Sequence, residues 1–286
     1  MNTFKKGYIL YLIIFIVLII YVLYKNLYKK NVINFKNQNE IIDTSDIISD
    51  NNINNAYVIN LLDRNDRWEQ INNTFKNSKI NLIRVPAIKR KNGHLGCGLS
   101  FVKIVKYAKE NNLKTVLIFE DDNMPLKDFD NRWFIIKKWL DNNLDKWEVF
   151  NGGARFIDWQ SYKDKEPDPN DYNVELLYKI NNNEYLFQSD IMVSENWLYI
   201  NSSCYDKVLD WQYNNKSNTS LIPMDQYITK KEYFNHVYCI PHLALQHNSE
   251  SDTSHYDQAL DKYDNSIIEL FNKIYKNTVS SYYIRI

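Results

Sequence analysis

The chain is poor in cysteine and carries no surplus charge of either sign. Lys and Arg total 35 and Asp and Glu total 35 among 286 residues, so the formal net charge is zero. Proteins that bind nucleic acids normally show a basic surplus, so this balance argues against a nucleic-acid partner. Cys97, Cys204 and Cys239 lack metal-ligand spacing. We interpret them as mostly buried residues, with one disulfide as an alternative if the domain is luminal.

Glycine and proline are also scarce, with six of each. Three of the glycines are Gly93, Gly96 and Gly98, but their spacing does not match a phosphate-binding fingerprint. A loop that needs positive φ angles explains them well enough. We therefore predict a loop here, followed by a helix from about Ser100 to Asn111.

One long hydrophobic run is present near the amino terminus. Residues 8–24 are uncharged, lysines flank both ends, and tyrosines stand at the edges as in an interfacial aromatic belt. About seventeen residues is the short end of what spans a bilayer. No small-residue cleavage site follows, which favours an uncleaved signal anchor over a signal peptide. We predict an anchor over 1–30 with one transmembrane helix at 8–24.

The rest of the chain divides into three further parts. Residues 31–55 are polar and without periodicity, which indicates a stem. Residues 56–256 alternate short apolar runs with helical patterns, which predicts an α/β domain with a doubly wound parallel sheet. Residues 163–183, a polar segment with two prolines, are interpreted as a loop or lid. Residues 257–286 contain an amphipathic helix that we expect to pack on the domain.

The most informative stretch is an acidic cluster that follows a short apolar run. Residues 116–119 favour a strand buried on both faces, and Glu120, Asp121 and Asp122 come directly after it. Ligands of open α/β sheets bind beyond the carboxyl ends of the strands. Carboxylates packed this closely repel one another, and a divalent cation neutralises them. The stretch alone leaves a metal site and a solvated acidic turn equally open.

Seven short patterns follow one another along residues 56–252. They are Val58–Leu61 with Arg67, Gly93–Ser100, Ile118–Asp122, Trp147–Gly152, Tyr199–Ile200, Pro223–Asp225, and Pro241–Gln246 with Ser251–Asp252. Together they resemble the glycosyltransferase family 25 domain, the type of lipooligosaccharide-biosynthesis and procollagen galactosyltransferases. One position departs from the pattern, since the family usually has His after the serine of the glycine-cysteine segment and this chain has Phe101.

The resemblance implies a GT-A-like fold, Rossmann-type with a mostly parallel sheet flanked by helices. It also implies a metal-dependent enzyme that transfers a hexose, galactose or glucose, from a UDP-sugar to a hydroxyl of a glycan or protein. Mn²⁺ or Mg²⁺ would stabilise the diphosphate leaving group. By analogy, Asp122 binds the metal, and Glu120 or Asp121 faces the ribose or a metal-bound water. His247 is a third candidate ligand, with a surface histidine as the alternative.

Four other residues are candidates for the site. Asp225 is a candidate general base for the acceptor hydroxyl, with a helix cap as the alternative. Arg64 and Arg67 are candidates for contacts with the phosphate or base, with helix-face salt bridges as the alternative. Asn60 is a candidate contact to the base or a turn residue.

We predict a type II membrane protein with the domain luminal or extracytoplasmic, although lysines flank both ends of the span and leave the positive-inside comparison nearly balanced. Sequons at Asn72, Asn201, Asn215 and Asn218 are compatible with a glycoprotein. The alternative function is a catalytically degenerate GT-A-like module that binds sugars or a partner, and Phe101 motivates it.

Overall fold

The computed structural model describes residues 42–49, 52–153, 155–156, 174–180, 185–189, 192–193, 196–214, 221–230 and 232–246, together with Tyr21. The chain divides into a unit over residues 1–41 and a unit over residues 42–286, and all described residues except Tyr21 belong to the second. The predicted span at 8–24, apart from Tyr21, lies outside the described residues, as do His247 and the predicted helix within 257–286. No helix in the described part is long and apolar enough to cross a membrane.

The strands of the described residues are β1 Asn55–Asn60, β2 Asn81–Pro86, β3 Thr115–Glu120, β4 Asn123–Pro125, β5 Val149–Asn151, β6 Arg155–Phe156, β7 Val174–Lys179, β8 Tyr185–Ser189, β9 Met192–Val193, β10 Trp197–Asn201, β11 His236–Ile240 and β12 Ala244–Gln246. Eight of them form a central sheet in the order β2-β1-β3-β10-β5-β11-β8-β7. Within the sheet, β10 and β8 run antiparallel to the other strands. The sheet is therefore mostly parallel, as expected from the sequence, with two antiparallel strands.

Helices cover both faces of this sheet. They are α1 Asn65–Phe75, α2 Gly93–Glu110, α3 Phe129–Asn142, α4 Tyr205–Asn214 and α5 Met224–Ile228. Alternating residues of β1 show the two layers: Tyr57 packs with α2 and α4, and Val58 packs with α1 and α3. Since successive strand residues point to opposite faces, each strand contributes to both cores.

The carboxyl ends of β1, β3, β5 and β11 lie along one edge of the sheet, because these strands are mutually parallel. At this edge β4 and β12 form a separate antiparallel pair, in which Gln246 is the partner of Asn123. The residues directly after β3 are therefore paired with residues near the end of the described part.

Two local predictions are wrong. The predicted loop at Gly93–Gly98 is the start of α2, and no glycine among the described residues has a positive φ. The segment predicted as a loop at 163–183 contains β7, which forms one outer strand of the sheet.

Residues 42–49, within the range that we interpret as a stem, pack against α2. Ile42 and Ile47 are buried in the same core as the α2 side chains. Lys106 Nζ donates to Ile42 O at 2.6 Å, and the buried Lys103 forms an ion pair with Asp46 at 2.6 Å. The segment is thus part of the folded unit.

Candidate functional site

The acidic cluster forms the turn between β3 and β4 at the carboxyl edge of the sheet. Glu120 is the last residue of β3, and Asp121 and Asp122 form the turn. A strand buried on both faces ends here because the charged residues that follow cannot enter the core without a partner. The turn lies between β1 on one side and the antiparallel β10 on the other.

Asp121 is held by two residues of the β1–α1 region. Asn60 Nδ2 donates to Asp121 Oδ2 at 2.7 Å, and Arg67 Nη1 donates to Asp121 Oδ1 at 3.0 Å. The side chains of Arg67 and Asp121 are only 8% and 11% exposed. A charge-assisted contact of this kind, largely out of solvent, is stronger than a surface ion pair.

Asp122 is held from the other side of the turn. Gln246 Nε2 in β12 donates to Asp122 Oδ2 at 2.8 Å, and Arg67 Nη1 lies 3.9 Å from the same carboxylate. Arg67 therefore neutralises part of the charge of both aspartates. The pairing of β4 with β12 is what brings Gln246 to this position.

Glu120 is a buried acid among other acids. Burial, and after it the negative charges of Asp122, Asp121 and Asp225, together raise its pKa to about 8. Cys97 Sγ donates a weak hydrogen bond to Glu120 Oε1 at 3.7 Å, which acts in the opposite direction. Part of Glu120 still reaches solvent, so its carboxyl group faces the cleft described below.

Asp225 lies in the first turn of α5, close enough to Glu120 for its charge to raise the pKa of that residue. Burial raises the pKa of Asp225 itself, whereas a hydrogen bond from Gln226 N at 2.7 Å and the charge of His94 lower it. The residue preceding α5, Pro223, offers no side-chain cap. Asp225 therefore interacts with the helix start and with the acidic cluster at once.

A cleft of about 210 Å³ opens beside the acidic cluster. Its walls come from the end of β1, the β2–α2 loop, the first turns of α2, the β3–β4 turn and β12. Three cations, Arg67, Lys89 and Arg90, face it together with the three acids. Gly93, Gly96 and Cys97 in the first turns of α2 line the cleft as well, and a helix start favours negative charge. The cleft thus combines anion-binding and cation-binding groups.

Other predicted site residues are placed differently. Arg64 forms an ion pair with Asp66 at 3.0 Å on the surface of α1, and its backbone oxygen accepts from Asn60 Nδ2. His247 follows Gln246 directly but lies outside the described residues. In the part of the chain that the structure describes, no group of three or more His, Cys, Asp and Glu side chains is arranged to hold a metal ion. The described cysteines are all free thiols.

Phe101 is a core residue in α2. Its side chain is 1% exposed and packs in the same core as Tyr57. The position that carries His in the resembling family therefore faces the interior in this chain. No imidazole from this position contributes to the cleft.

Two residues that contact the site were not among the candidates predicted from the sequence. Arg84 in β2 donates to Asn60 Oδ1 at 2.8 Å, and Gln246 donates to Asp122. Gln246 belongs to one of the patterns that resemble the family, which was a usable signal. Arg84 has no such signal, because its partners Asn60 and Asn65 lie 24 and 19 residues earlier in the chain.

Comparisons with known proteins give no family assignment. No family model matches the chain, and no curated protein sequence matches it. The fold is similar to a solved structure of apo UDP-glucose pyrophosphorylase, with 10% identity, a TM-score of 0.32, and coverage of 75% of this chain and 70% of that chain. It is also similar to UDP-glucose pyrophosphorylase complexed with UDP-glucose, with 10% identity, a TM-score of 0.32, and coverage of 76% and 74%.

Proposed function

We propose that the protein is a metal-dependent glycosyltransferase that moves a hexose, galactose or glucose, from a UDP-sugar to a hydroxyl group of a glycan or protein. In this proposal the chain is similar to glycosyltransferase family 25. The membrane anchor at 8–24 and the type II orientation remain predictions from the sequence.

One observation carries the proposal: residues from patterns far apart in the sequence meet at one cleft. Asn60, Cys97, Glu120, Asp122 and Gln246 come from four different segments, and each lines the cleft or contacts a residue that does. Packing alone gives no reason for these polar groups to gather at the carboxyl edge of the sheet. A ligand site does, since this edge is where open α/β sheets bind ligands.

The donor set fits a divalent cation that a nucleotide diphosphate helps to hold. Mg²⁺ and similar ions use one or two carboxylates plus substrate phosphates instead of a full protein cage. Asp122 and Glu120 would supply those carboxylates, because both residues line the cleft and lie close enough for the charge of Asp122 to raise the pKa of Glu120. A bound cation would stabilise the negative charge of the departing diphosphate.

The cationic side chains of the cleft would bind the diphosphate. Arg67 is already oriented by Asp121 at 3.0 Å, so its guanidinium loses little conformational entropy on binding a phosphate oxygen. Lys89 and Arg90 line the same cleft just before the start of α2. Together the three cations would offset the negative charge of the diphosphate.

Asp225 is the residue that we assign to the acceptor. An ionised carboxylate near the acceptor hydroxyl takes up its proton as the bond to the anomeric carbon forms. Burial raises the pKa of Asp225 and so strengthens it as a base. The surrounding charge of Glu120 acts in the same direction once Glu120 is ionised.

The test is a donor screen with the full-length chain in detergent, using a panel of nucleotide sugars and Mn²⁺ and measuring UDP release. We expect release from one UDP-hexose, its loss on chelation, and a fall of at least about 100-fold in Asp122→Ala. Asp145→Ala, which removes an exposed carboxylate away from the site, is the control.

Transfer that persists without metal, or full activity in Asp122→Ala, would refute the proposed mechanism. Binding of UDP with Mn²⁺ but no turnover of any donor would instead favour the binding module. The buried Phe101 is the feature that makes this second outcome worth measuring.

A further inference from the structure

We propose that Arg84 is a positioning residue that fixes the side-chain amide of Asn60, and that Asp121 anchors the acidic turn instead of binding the metal. The kinetic part of this inference rests on the proposed function. The structural part concerns three side chains, one from each of β2, β1 and the β3–β4 turn.

The guanidinium of Arg84 forms its hydrogen bonds with the end of β1 and the turn that follows it. Its Nε donates to Asn60 Oδ1 at 2.8 Å and its Nη1 donates to Asn65 Oδ1 at 3.0 Å. Its Nη2 lies 3.4 Å from the backbone oxygens of Leu61 and Leu62. The guanidinium also lies 5.5 Å from the centre of the Trp68 ring, which restrains it further. No ordinary neutral side chain offers this many donors in one plane.

The chemistry of arginine determines how Asn60 is oriented. A guanidinium only donates hydrogen bonds, so Asn60 must present its oxygen to Arg84. The amide nitrogen then points the other way, where it donates to Asp121 Oδ2 at 2.7 Å and to Arg64 O at 3.1 Å. Asn60 is 1% exposed, so water does not compete for either end. A rotated amide would place its oxygen against a carboxylate.

Asp121 consequently has a protein donor on each oxygen. Asn60 binds Oδ2 and Arg67 binds Oδ1. Asp122 is bound through Oδ2 by Gln246, and Glu120 faces the cleft. The three consecutive acids therefore divide their roles: Asp121 fixes the turn to β1, and Glu120 and Asp122 are presented to the ligand.

Exchanging the amide and the carboxylate between positions 60 and 121 tests these assigned roles directly. In Asn60→Asp, Arg84 keeps its acceptor but Asp121 meets a second carboxylate. In Asp121→Asn, Asn60 and Arg67 both donate toward a group with only one acceptor oxygen. In the double variant Asn60→Asp/Asp121→Asn, the carboxylate at 60 accepts from Arg84 and from the new amide, whose oxygen accepts from Arg67.

We expect each single variant to lose at least about tenfold in kcat/KM and in the affinity for Mn²⁺ with UDP, as for other residues that orient ligands. We expect the double variant to regain part of both, because the hydrogen bond from position 60 to Arg64 O stays lost. A double variant no better than Asp121→Asn would show that the charge of Asp121 is itself required, and would overturn the proposal.

A second measurement does not depend on the donor or the metal. In the wild type, hydrogen exchange of the Asn60 side-chain amide, followed by NMR and assigned through its absence in Asn60→Asp, should be slow. Arg84→Met should lose this protection, because the amide is no longer held in one orientation. Lys109→Met, which removes an exposed cation at the far end of α2, is the control and should keep it.

Unchanged protection in Arg84→Met would overturn the proposal whatever the enzyme does. If protection is lost as expected but no donor is turned over or bound, the proposed function fails while the role of Arg84 stands. Arg84→Lys should give an intermediate result, since lysine donates but lacks the planar fork.

Discussion

Glu120 is a buried acid whose pKa is raised by its surroundings. In the metal-free protein, burial and three neighbouring carboxylates raise its pKa to about 8 from a usual value near 4.5. The unfolded chain releases this proton near the usual pKa, whereas the folded chain retains it until the raised pKa. The free energy of unfolding must therefore fall as the pH rises between these two values.

Glu120→Gln should remove this pH-dependent loss, because a neutral amide replaces the carboxyl group. We expect the variant to be similar to wild type in stability near pH 4.5, and more stable by about 1–3 kcal/mol at pH 8. Urea denaturation at the two pH values, in the presence of a chelator, measures the difference. Glu69→Gln, at an exposed position of α1, is the control. Equal pH dependence in wild type and Glu120→Gln would contradict the prediction.

The glycines show how far single residues can be interpreted from sequence. Their clustering suggested a loop, but Gly96 and Gly98 lie inside α2 at two close contacts. A Cβ on Gly98 would come within 2.2 Å of the Trp211 ring, and one on Gly96 within 2.5 Å of Ile88 O. Glycine is scarce in this chain, so these positions stood out in the sequence. Glycine is needed there because residues distant in sequence come too close for a side chain, and composition and spacing do not reveal such contacts.

At the scale of elements, α2 connects the cleft with the segment at 42–49. The first turns of α2 line the cleft, and its next turns carry Lys103, whose side chain is 5% exposed. The ammonium group has two oxygen partners, Asp46 Oδ2 at 2.6 Å and Pro86 O at 3.0 Å. A buried ammonium requires such partners, so the segment at 42–49 contributes to the position of α2.

Removing Asp46 should destabilise the domain more than removing the whole ion pair. In Asp46→Ala the buried Lys103 loses its counter-ion, and we expect a cost of about 1–2 kcal/mol because Asp46 is half exposed. Lys103→Met should cost less, since an apolar chain of similar length fills the same space. Asp43→Ala, exposed on the same segment, is the control.

Urea denaturation of the three single variants and of Asp46→Ala/Lys103→Met measures these costs. The double variant should be more stable than Asp46→Ala alone. If Asp46→Ala matches Asp43→Ala, the ion pair contributes nothing and the segment is held by Ile42 and Ile47 alone.

Element prediction succeeded where the pattern was long or strongly apolar. The strand before the acidic cluster was located to within one residue at each end, because an unbroken apolar run is a local signal. The strands β7 and β12 were not found. Val174–Lys179 lies in a polar segment at the edge of the sheet, and Ala244–Gln246 is too short for a period to emerge.

At the scale of the whole molecule, the sequence predicted the class of fold but not the full strand order. Alternating strands and helices indicated an α/β sheet covered on both faces, and this is confirmed. The insertion of β10 between β3 and β5 was not predicted. It pairs residues about eighty positions apart, and the choice among such pairings depends on packing that no local pattern encodes.

The arrangement of the site residues also depends on the whole fold. The acidic cluster itself was identified from a strand followed by charges. Its partners Asn60, Arg67 and Gln246 are brought to it by the positions of β1, α1 and β12. A ligand that contacts the cleft therefore links elements from the beginning to the end of the described domain.

Because a donor in the cleft would contact all of these elements, we predict that donor binding stabilises the domain as a unit. A ligand that binds only the folded state at 100 times its Kd adds about 2.7 kcal/mol to the free energy of unfolding. For a domain of this size each kcal/mol raises the melting temperature by about 2–4 °C. We therefore expect UDP with Mn²⁺ to raise the melting temperature by about 5–10 °C.

The dependence on metal and on Asp122 separates this effect from nonspecific binding. UDP without Mn²⁺ should give a smaller shift, because the phosphates and the carboxylate of Asp122 then repel each other. Asp122→Ala should lose most of the shift, whereas Asp145→Ala should retain it. A shift that is equal with and without Mn²⁺, and unchanged in Asp122→Ala, would place the nucleotide away from the acidic cluster and contradict the proposed site. If the shift follows metal and Asp122 as expected, the acidic turn, its anchors and its cleft act as one donor site.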